Sequence, residues 1–229
     1  MFRRSGSPAI LVLVLAALFF GAASELCASE LASLSLPAPG SYKLDRILRA
    51  PFGVVYDGTG FPHFLSSYTT GRITLLTFFY SECSDPQGCP LAWNAFEAVR
   101  KKIKDSPELH GQVRLVSFSF DPRHDRPNIL DVFTQSYKDD RAIVPWEFIG
   151  AWSNRLLDRT LSAFGQDILV DQAAARAGAN TINHTLKVFL IDRDGWVREI
   201  YTTAFLDPDM ILGDIKTLHI EEEQSHLRR

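Results

Sequence analysis

Two cysteines, Cys83 and Cys89, lie in a polar loop that follows an apolar run over residues 73–80. Apolar residues with helical spacing begin directly after the loop at Pro90. Proline is favoured at the first helical position, because its missing N–H would have no partner there. We therefore expect Cys89 at or near the N-cap, where the helix dipole and unpaired amides favour a thiolate. The pattern indicates redox chemistry or the binding of a soft metal ion.

The spacing of the two cysteines separates these chemistries. Five residues lie between Cys83 and Cys89, whereas thioredoxin-type redox motifs have two. The wider loop leaves room for an ion, and two thiolates with one imidazole form a soft site that suits Cu(I). Zinc usually requires a fourth ligand or a water molecule. A structural disulfide is the simpler alternative, although closing so short a loop removes little chain entropy.

A copper site of this kind needs a histidine, and six are available. His184 is the strongest candidate, because it follows a loop and opens an apolar strand that the predicted fold places across from the dithiol loop. A strand-end histidine bonded only to the backbone would have the same spacing, so both interpretations stay open. His124 is a weaker candidate. Of the others, His63 is expected to be packed in the protein. Three histidines are expected to face solvent: His110, His219 and His226.

Strands and helices alternate around these residues. Strands are predicted over residues 52–57, 72–80, 113–120, 146–149, 184–192 and 196–202, helices over 90–104, 127–138, 153–164 and 207–220, and an irregular segment over 166–182. The last two strands are joined by an Asp-Gly turn, a strong hairpin signal. The strands at 72–80 and 113–120 are joined through a helix and should be parallel. The order is typical of an α/β, thioredoxin-like three-layer sandwich with a central mixed sheet.

The ends of the chain differ in character from this domain. Arg3 and Arg4 precede an apolar stretch over residues 9–23, which predicts a signal peptide or N-terminal membrane anchor over 1–24. Residues 25–45 are interpreted as a linker, 46–220 as the domain and 221–229 as a frayed, charged C-terminal tail. Export implies an oxidising compartment. The net charge of -3 does not suggest a nucleic-acid partner.

Several segments, in order along the chain, carry a family resemblance. They are Thr77-Phe78-Phe79-Tyr80 leading to Cys83, Cys89-Pro90-Leu91, the S-x-D-P-x-x-D-x-P segment over residues 119–127, Asn183-His184-Thr185, residues 190–195, and Leu206-Asp207-Pro208. Over roughly residues 45–220 the chain resembles the Sco (SenC) family of exported, thioredoxin-fold copper chaperones of cytochrome c oxidase assembly. By this resemblance, Cys83, Cys89 and His184 are the copper ligands.

The resemblance implies a metallochaperone rather than an enzyme. The chain would be periplasmic, or anchored to the inner membrane facing the periplasm, and would deliver copper to a cuproprotein, with cytochrome c oxidase subunit II as the client.

The sequence departs from the family pattern in two places near the expected copper ligands. The family pattern is C-x-x-x-C-P, two residues shorter than this loop, and Asn183 replaces an acidic residue beside the histidine. A thiol–disulfide oxidoreductase that uses Cys83 and Cys89 is therefore the main alternative, with a peroxidase or a plain binding domain behind it.

Overall fold

The structure is a computed structural model that describes residues 36–83, 85–166, 168–170 and 182–226. The chain divides into two units, Met1–Pro37 and Ala38–Arg229, and the elements given below belong to the second. The predicted signal peptide or anchor over residues 1–24 lies outside the described residues. Within the described ranges, no helix has the length and apolar character that crossing a membrane requires.

Ten strands and five helices are described. The strands are β1 (Leu48–Arg49), β2 (Val54–Tyr56), β3 (Pro62–Phe64), β4 (Ile73–Phe79), β5 (Val113–Ser119), β6 (Trp146–Ile149), β7 (Ile168–Val170), β8 (Ile182–His184), β9 (Lys187–Ile191) and β10 (Trp196–Thr202). The helices are α1 (Ser66–Thr69), α2 (Cys89–Lys104), α3 (Pro127–Ser136), α4 (Asn154–Ala163) and α5 (Pro208–His226). Single 3₁₀ turns cover Pro107–Leu109, Lys138–Asp140 and Thr203–Phe205.

The central sheet has six strands in the order β1-β10-β9-β4-β5-β6. Strands β4, β5 and β6 are parallel to one another, while β9 is antiparallel to both β4 and β10. Every residue of β4 and β5 is buried, as expected for central strands covered on both faces. The predicted mixed sheet and the parallel pairing of its first two core strands are confirmed.

Adjacent residues of β4 point to opposite faces of the sheet and show where its two cores lie. Phe78 packs against Phe164 at the end of α4, with ring centroids 5.6 Å apart. Phe79 packs on the other face against Trp93 of α2 and Phe133 of α3, at 6.3 and 5.8 Å. Helices therefore cover both faces of the sheet, which confirms the predicted three-layer sandwich.

The folded unit begins before residue 46, where the sequence analysis placed its start. The Tyr42 hydroxyl donates to Asp214 Oδ1 at 2.5 Å, and the Gly40 N–H donates to Thr217 Oγ1 at 3.0 Å. Both partners belong to α5. Residues 38–45 are therefore fastened to the last helix, and the linker interpretation is wrong for them.

The predicted tail over residues 221–229 is also wrong as far as His226, where α5 ends. Glu221 accepts from the Arg198 guanidinium at 2.9 Å, and Glu222 pairs with Arg193 at 2.5 Å. These two ion pairs hold the last turns of the helix against β10 and the turn before it. Acidic residues that sequence reasoning assigned to solvent are therefore part of the packed structure.

The region around residues 166–192 differs from the prediction in two ways. Strand β7 pairs antiparallel with β8 in a small separate sheet, with Ile168 opposite His184, where an irregular segment was predicted. The predicted continuous strand over 184–192 is interrupted, because β8 ends at His184 and β9 begins at Lys187. The chain therefore passes from the small sheet to the central sheet directly after His184.

Candidate metal centre

Strand β4 and helix α2 position the two cysteines. The loop between these elements is closed by backbone hydrogen bonds from Cys83 N to the Tyr80 carbonyl at 3.1 Å and from Gly88 N to the Asp85 carbonyl at 2.9 Å. The Asp85 side chain accepts from Gln87 N at 3.0 Å, which completes the turn. Helix α2 begins at Cys89 with Gly88 as its N-cap, one position from where the sequence analysis expected the cap.

The two cysteine side chains are in contact as thiols. Cys89 is 7% exposed and Cys83 is half-buried. The pKa of Cys89 is raised far above its ordinary value, first by the hydrogen bond with the Cys83 side chain and then by burial. The expectation that the start of the helix would favour a thiolate at Cys89 is therefore wrong, because the neighbouring thiol and burial outweigh the backbone amides.

An apolar cavity of about 310 Å³ opens beside the two sulfur atoms. Four of its nine lining residues are aromatic, and the full lining consists of Phe79, Tyr80, Ser81, Cys83, Cys89, Pro90, Trp93, Asn94 and Phe133. A thiolate is poorly stabilised in such surroundings unless a cation neutralises it. The surroundings of the two sulfur atoms therefore oppose ionisation of the thiols.

A buried carboxylate, that of Asp125, holds the start of the cysteine loop. Asp125 is 0% exposed and accepts from the Ser81 backbone N–H at 3.1 Å and from the Ser119 hydroxyl at 2.5 Å. Its own carbonyl accepts from the Tyr56 hydroxyl at 2.8 Å. Asp125 therefore connects the turn over residues 121–127 to the cysteine loop, a contact that the sequence analysis did not predict.

Burial raises the pKa of Asp125, although its hydrogen bonds with Ser119 and Ser81 oppose this effect. A raised carboxyl pKa means that the folded protein binds the proton more tightly than the unfolded chain. The free energy of unfolding therefore falls as the pH rises from the ordinary value near 3.8 through the raised pKa. In Asp125→Asn, which keeps an acceptor for Ser81 N, we expect this part of the pH dependence to be lost. Urea unfolding of both proteins between about pH 4 and pH 7 measures the difference, and parallel curves would contradict the assignment.

The backbone brings His184 to the edge of the sheet where the cysteine loop begins. Strand β9 runs antiparallel to β4 with Val188 opposite Thr77, so the residues before β9 lie level with the end of β4. His184 is the last residue of β8, and its side chain is outside the described part of the structure. Among the described side chains, no three His, Cys, Asp or Glu residues form a metal-binding group. The predicted ligand set of Cys83, Cys89 and His184 therefore stays a prediction.

Four other histidines have local partners. His124 Nδ1 lies 2.7 Å from Asp121 Oδ2, a hydrogen bond that raises the pKa of His124. His63 is 3.4 Å from the Asp57 carboxylate, and His110 lies 3.0 Å from the Lys104 carbonyl. The side chain of His219 is 13% exposed, so the prediction that it faces solvent is wrong. His124, His63 and His110 therefore each contact a residue close to them in sequence.

The family model and the relative that match this chain both belong to one protein family. Residues 57–219 match the SCO1/SenC family. A SCO1 protein homolog of Bacillus subtilis is 26% identical over 149 residues, which cover 64% of this chain and 71% of the relative.

Two solved structures are similar in fold. The structure of Bradyrhizobium japonicum ScoI with copper bound has a TM-score of 0.56 and 20% identity, and the match covers 74% of this chain and 98% of ScoI. BsSco is described as a member of the Sco family of cytochrome c oxidase assembly proteins with a disulfide switch. It has a TM-score of 0.58 and 22% identity, with coverage of 78% and 98%. Both structures share the thioredoxin-like sandwich described above.

Proposed function

Because the chain belongs to the SCO1/SenC family, we propose that it binds one copper ion through Cys83, Cys89 and His184 and delivers it to another protein. The observation that carries this proposal is the contact between the Cys83 and Cys89 thiols at the mouth of an apolar cavity. Copper bound in the related ScoI structure supports it. Thiolate sulfur and imidazole nitrogen are donors that suit copper.

The two sulfur atoms have different roles in this proposal. Both thiols lose their protons when copper binds, because only thiolates are ligands. Cys89 is buried at the start of α2 and would hold the ion, while the half-buried Cys83 is the more accessible sulfur. An incoming ligand of the recipient would therefore displace Cys83 first. Delivery then proceeds by stepwise exchange of ligands, and the copper ion stays coordinated by at least one protein ligand throughout.

The proposed recipient is the copper site of cytochrome c oxidase subunit II. The description of BsSco as a member of a family of cytochrome c oxidase assembly proteins supports this choice. The charged and apolar character of residues 1–24 supports export, either with cleavage of this segment or with its retention as a membrane anchor. The chain would then work in the compartment where the recipient's copper site is exposed.

Transfer is tested directly with the full chain in mild detergent. The chain is loaded anaerobically with an equimolar amount of Cu(I), mixed with the metal-free copper domain of subunit II and separated by chromatography. We expect copper to move to the recipient domain, and we expect His184→Ala to retain little copper at the start. His110→Ala is the matched control, since this half-buried histidine has its own backbone partner. Copper that stays on the chain would contradict delivery.

Thiol–disulfide exchange is a second function that one observation favours. The contact between the two thiols is the arrangement from which a disulfide forms, and BsSco has a disulfide switch. The attacking thiol would be Cys83, because it is more accessible than the buried Cys89. Reduction of a mixed-disulfide substrate that requires both cysteines and is unchanged in His184→Ala would favour exchange over copper delivery.

A further inference from the structure

The edge of the sheet opposite the cysteine loop contains a second pocket. The parallel strands β4, β5 and β6 begin at this edge, and a cavity of about 410 Å³ opens there. Its lining is mostly polar and consists of Thr70, Gly71, Arg72, Arg114, Arg141, Pro145 and Glu147. Three guanidinium groups and one carboxylate leave two positive charges uncompensated in the pocket.

Arg114 forms the fixed base of this pocket. The residue is 8% exposed on β5, and its guanidinium donates to the carbonyls of Ser67 at 2.5 Å and Thr70 at 2.7 Å. Its Nε is buried and has no hydrogen-bond partner within the described ranges. Arg114 is therefore held in place by the backbone, while one of its donors still lacks an acceptor.

Arg72 adds a second charge next to the first. It is half-buried, and no hydrogen bond or ion pair of its guanidinium is present in the described part of the chain. The pKa of Arg114 is lowered to about 10, first by burial and then by repulsion from Arg72. Two neighbouring cations thus repel each other in a partly enclosed space, a conflict that a bound anion would relieve.

The third guanidinium is oriented by the carboxylate. Arg141 Nη2 lies 2.9 and 3.0 Å from the two oxygens of Glu147, and Glu147 itself is mostly shielded from solvent. Glu147 therefore pairs directly with Arg141 and acts on Arg114 only through space, where it opposes the lowering of the Arg114 pKa. One carboxylate charge thus offsets only one of the three guanidinium charges around the pocket. The site is prepared for a ligand with two negative charges.

We propose that this pocket binds a phosphate group carried by a small ester or by a lipid headgroup. A phosphate monoester has a charge close to -2 at neutral pH, which matches the two uncompensated cations, whereas a carboxylate supplies one. Guanidinium groups bind phosphate oxygens through paired hydrogen bonds. The cavity is larger than a phosphate group and has room for the substituent. Since the pocket and the cysteine loop lie at opposite edges of the sheet, this site does not depend on the copper proposal.

Calorimetric titration of the full chain with glycerol 3-phosphate tests the proposal. We expect saturable binding that weakens by at least about tenfold in Arg72→Gln, because this variant loses the charge-assisted hydrogen bonds between the guanidinium and the phosphate. Arg141→Gln should also weaken binding and is a second variant, at a more exposed position than Arg72, since the Arg141 side chain is 57% exposed. Arg155→Gln on the exposed side of α4 is the matched control and should bind like the unmodified protein. Acetate, with a single charge, should bind to the unmodified protein at least about tenfold more weakly than glycerol 3-phosphate does.

Vesicles distinguish the two sources of the phosphate group. The fraction of protein that sediments with phosphatidylcholine vesicles is the baseline. The increase in this fraction with vesicles that also contain phosphatidic acid measures binding to the phosphate group. An increment that Arg72→Gln removes assigns the ligand to a lipid headgroup, whereas binding of glycerol 3-phosphate without such an increment assigns it to a soluble ester. The proposal is overturned if neither probe binds saturably, or if Arg72→Gln and Arg155→Gln bind equally well.

Discussion

Replacing Cys89 by serine is expected to weaken Cu(I) binding by more than about 100-fold. Substituting residues that only support metal ligands already costs about 10–100-fold in affinity, and Cys89 is proposed as a ligand itself. Serine is close to cysteine in size, so the buried position at the start of α2 remains filled. Competition with a coloured Cu(I) chelator under anaerobic conditions measures the affinity.

Cys27→Ser is the matched control, because it removes the third cysteine of the chain by the same chemical change. We expect this variant to bind copper as the unmodified protein does. Thermal unfolding of both variants shows whether the fold is retained. Tight binding by a folded Cys89→Ser protein, or a comparable loss in Cys27→Ser, would contradict the ligand assignment.

The second large effect is expected for stability, in Asp192→Ala. Asp192 and Arg198 form an ion pair at 3.0 Å with side chains 5% and 6% exposed. Removing the carboxylate leaves a buried guanidinium partly uncompensated, which typically costs about 3–5 kcal/mol. It also removes the acceptor for the backbone N–H groups of Asp194 and Trp196. For a chain of this size the loss corresponds to a fall in the midpoint of thermal unfolding of roughly 6–20 °C.

Asp194→Ala provides the comparison within the same turn. The Asp194 carboxylate lies 3.5 Å from Arg46, and both side chains are more than half exposed, so its removal should cost no more than about 1 kcal/mol. Chemical denaturation of the two variants under identical conditions measures both losses. Equal losses in Asp192→Ala and Asp194→Ala would show that burial of the Arg198 pair has no special importance.

Local sequence patterns were sufficient to predict the strand and the helix that position Cys83 and Cys89. The apolar run of β4 is buried on both faces, and the cysteines follow it because a polar loop and Pro90 end the strand and start the helix. The start of the helix predicted over residues 153–164 is confirmed, since the Ser153 side chain accepts from Leu156 N at 3.4 Å and caps α4. Such features depend on neighbours within a few residues, which are readable from the sequence.

Features that depend on distant partners were missed. The acidic residues at the end of α5 resemble a solvated tail until Arg198, on another element, is seen to pair with Glu221. Tyr42 looks like part of a linker until its hydroxyl is placed on Asp214, 172 residues away. No local pattern specifies contacts of this kind.

At the candidate site, too, features set by neighbours in sequence were predicted and features set by distant residues were missed. Sequence reasoning brought Cys83 and Cys89 together, but assigned the wrong direction to the pKa of Cys89, because helix position was known and the neighbouring thiol and burial were not. The contact between Asp125 and Ser81 N was equally hidden, since 44 residues separate the two in sequence. The charge balance of the arginine pocket also appears only once three strand starts meet at one edge.

The central claim is that Cys83, Cys89 and His184 together bind one copper ion. X-ray absorption of the Cu(I)-loaded full chain tests it most directly, because the method identifies ligand atoms and distances. We predict two sulfur atoms at roughly 2.2–2.3 Å and one nitrogen at about 2.0 Å from the copper ion, with the nitrogen lost in His184→Ala. A first shell without nitrogen, or one that is unchanged in His184→Ala, would contradict the proposed site.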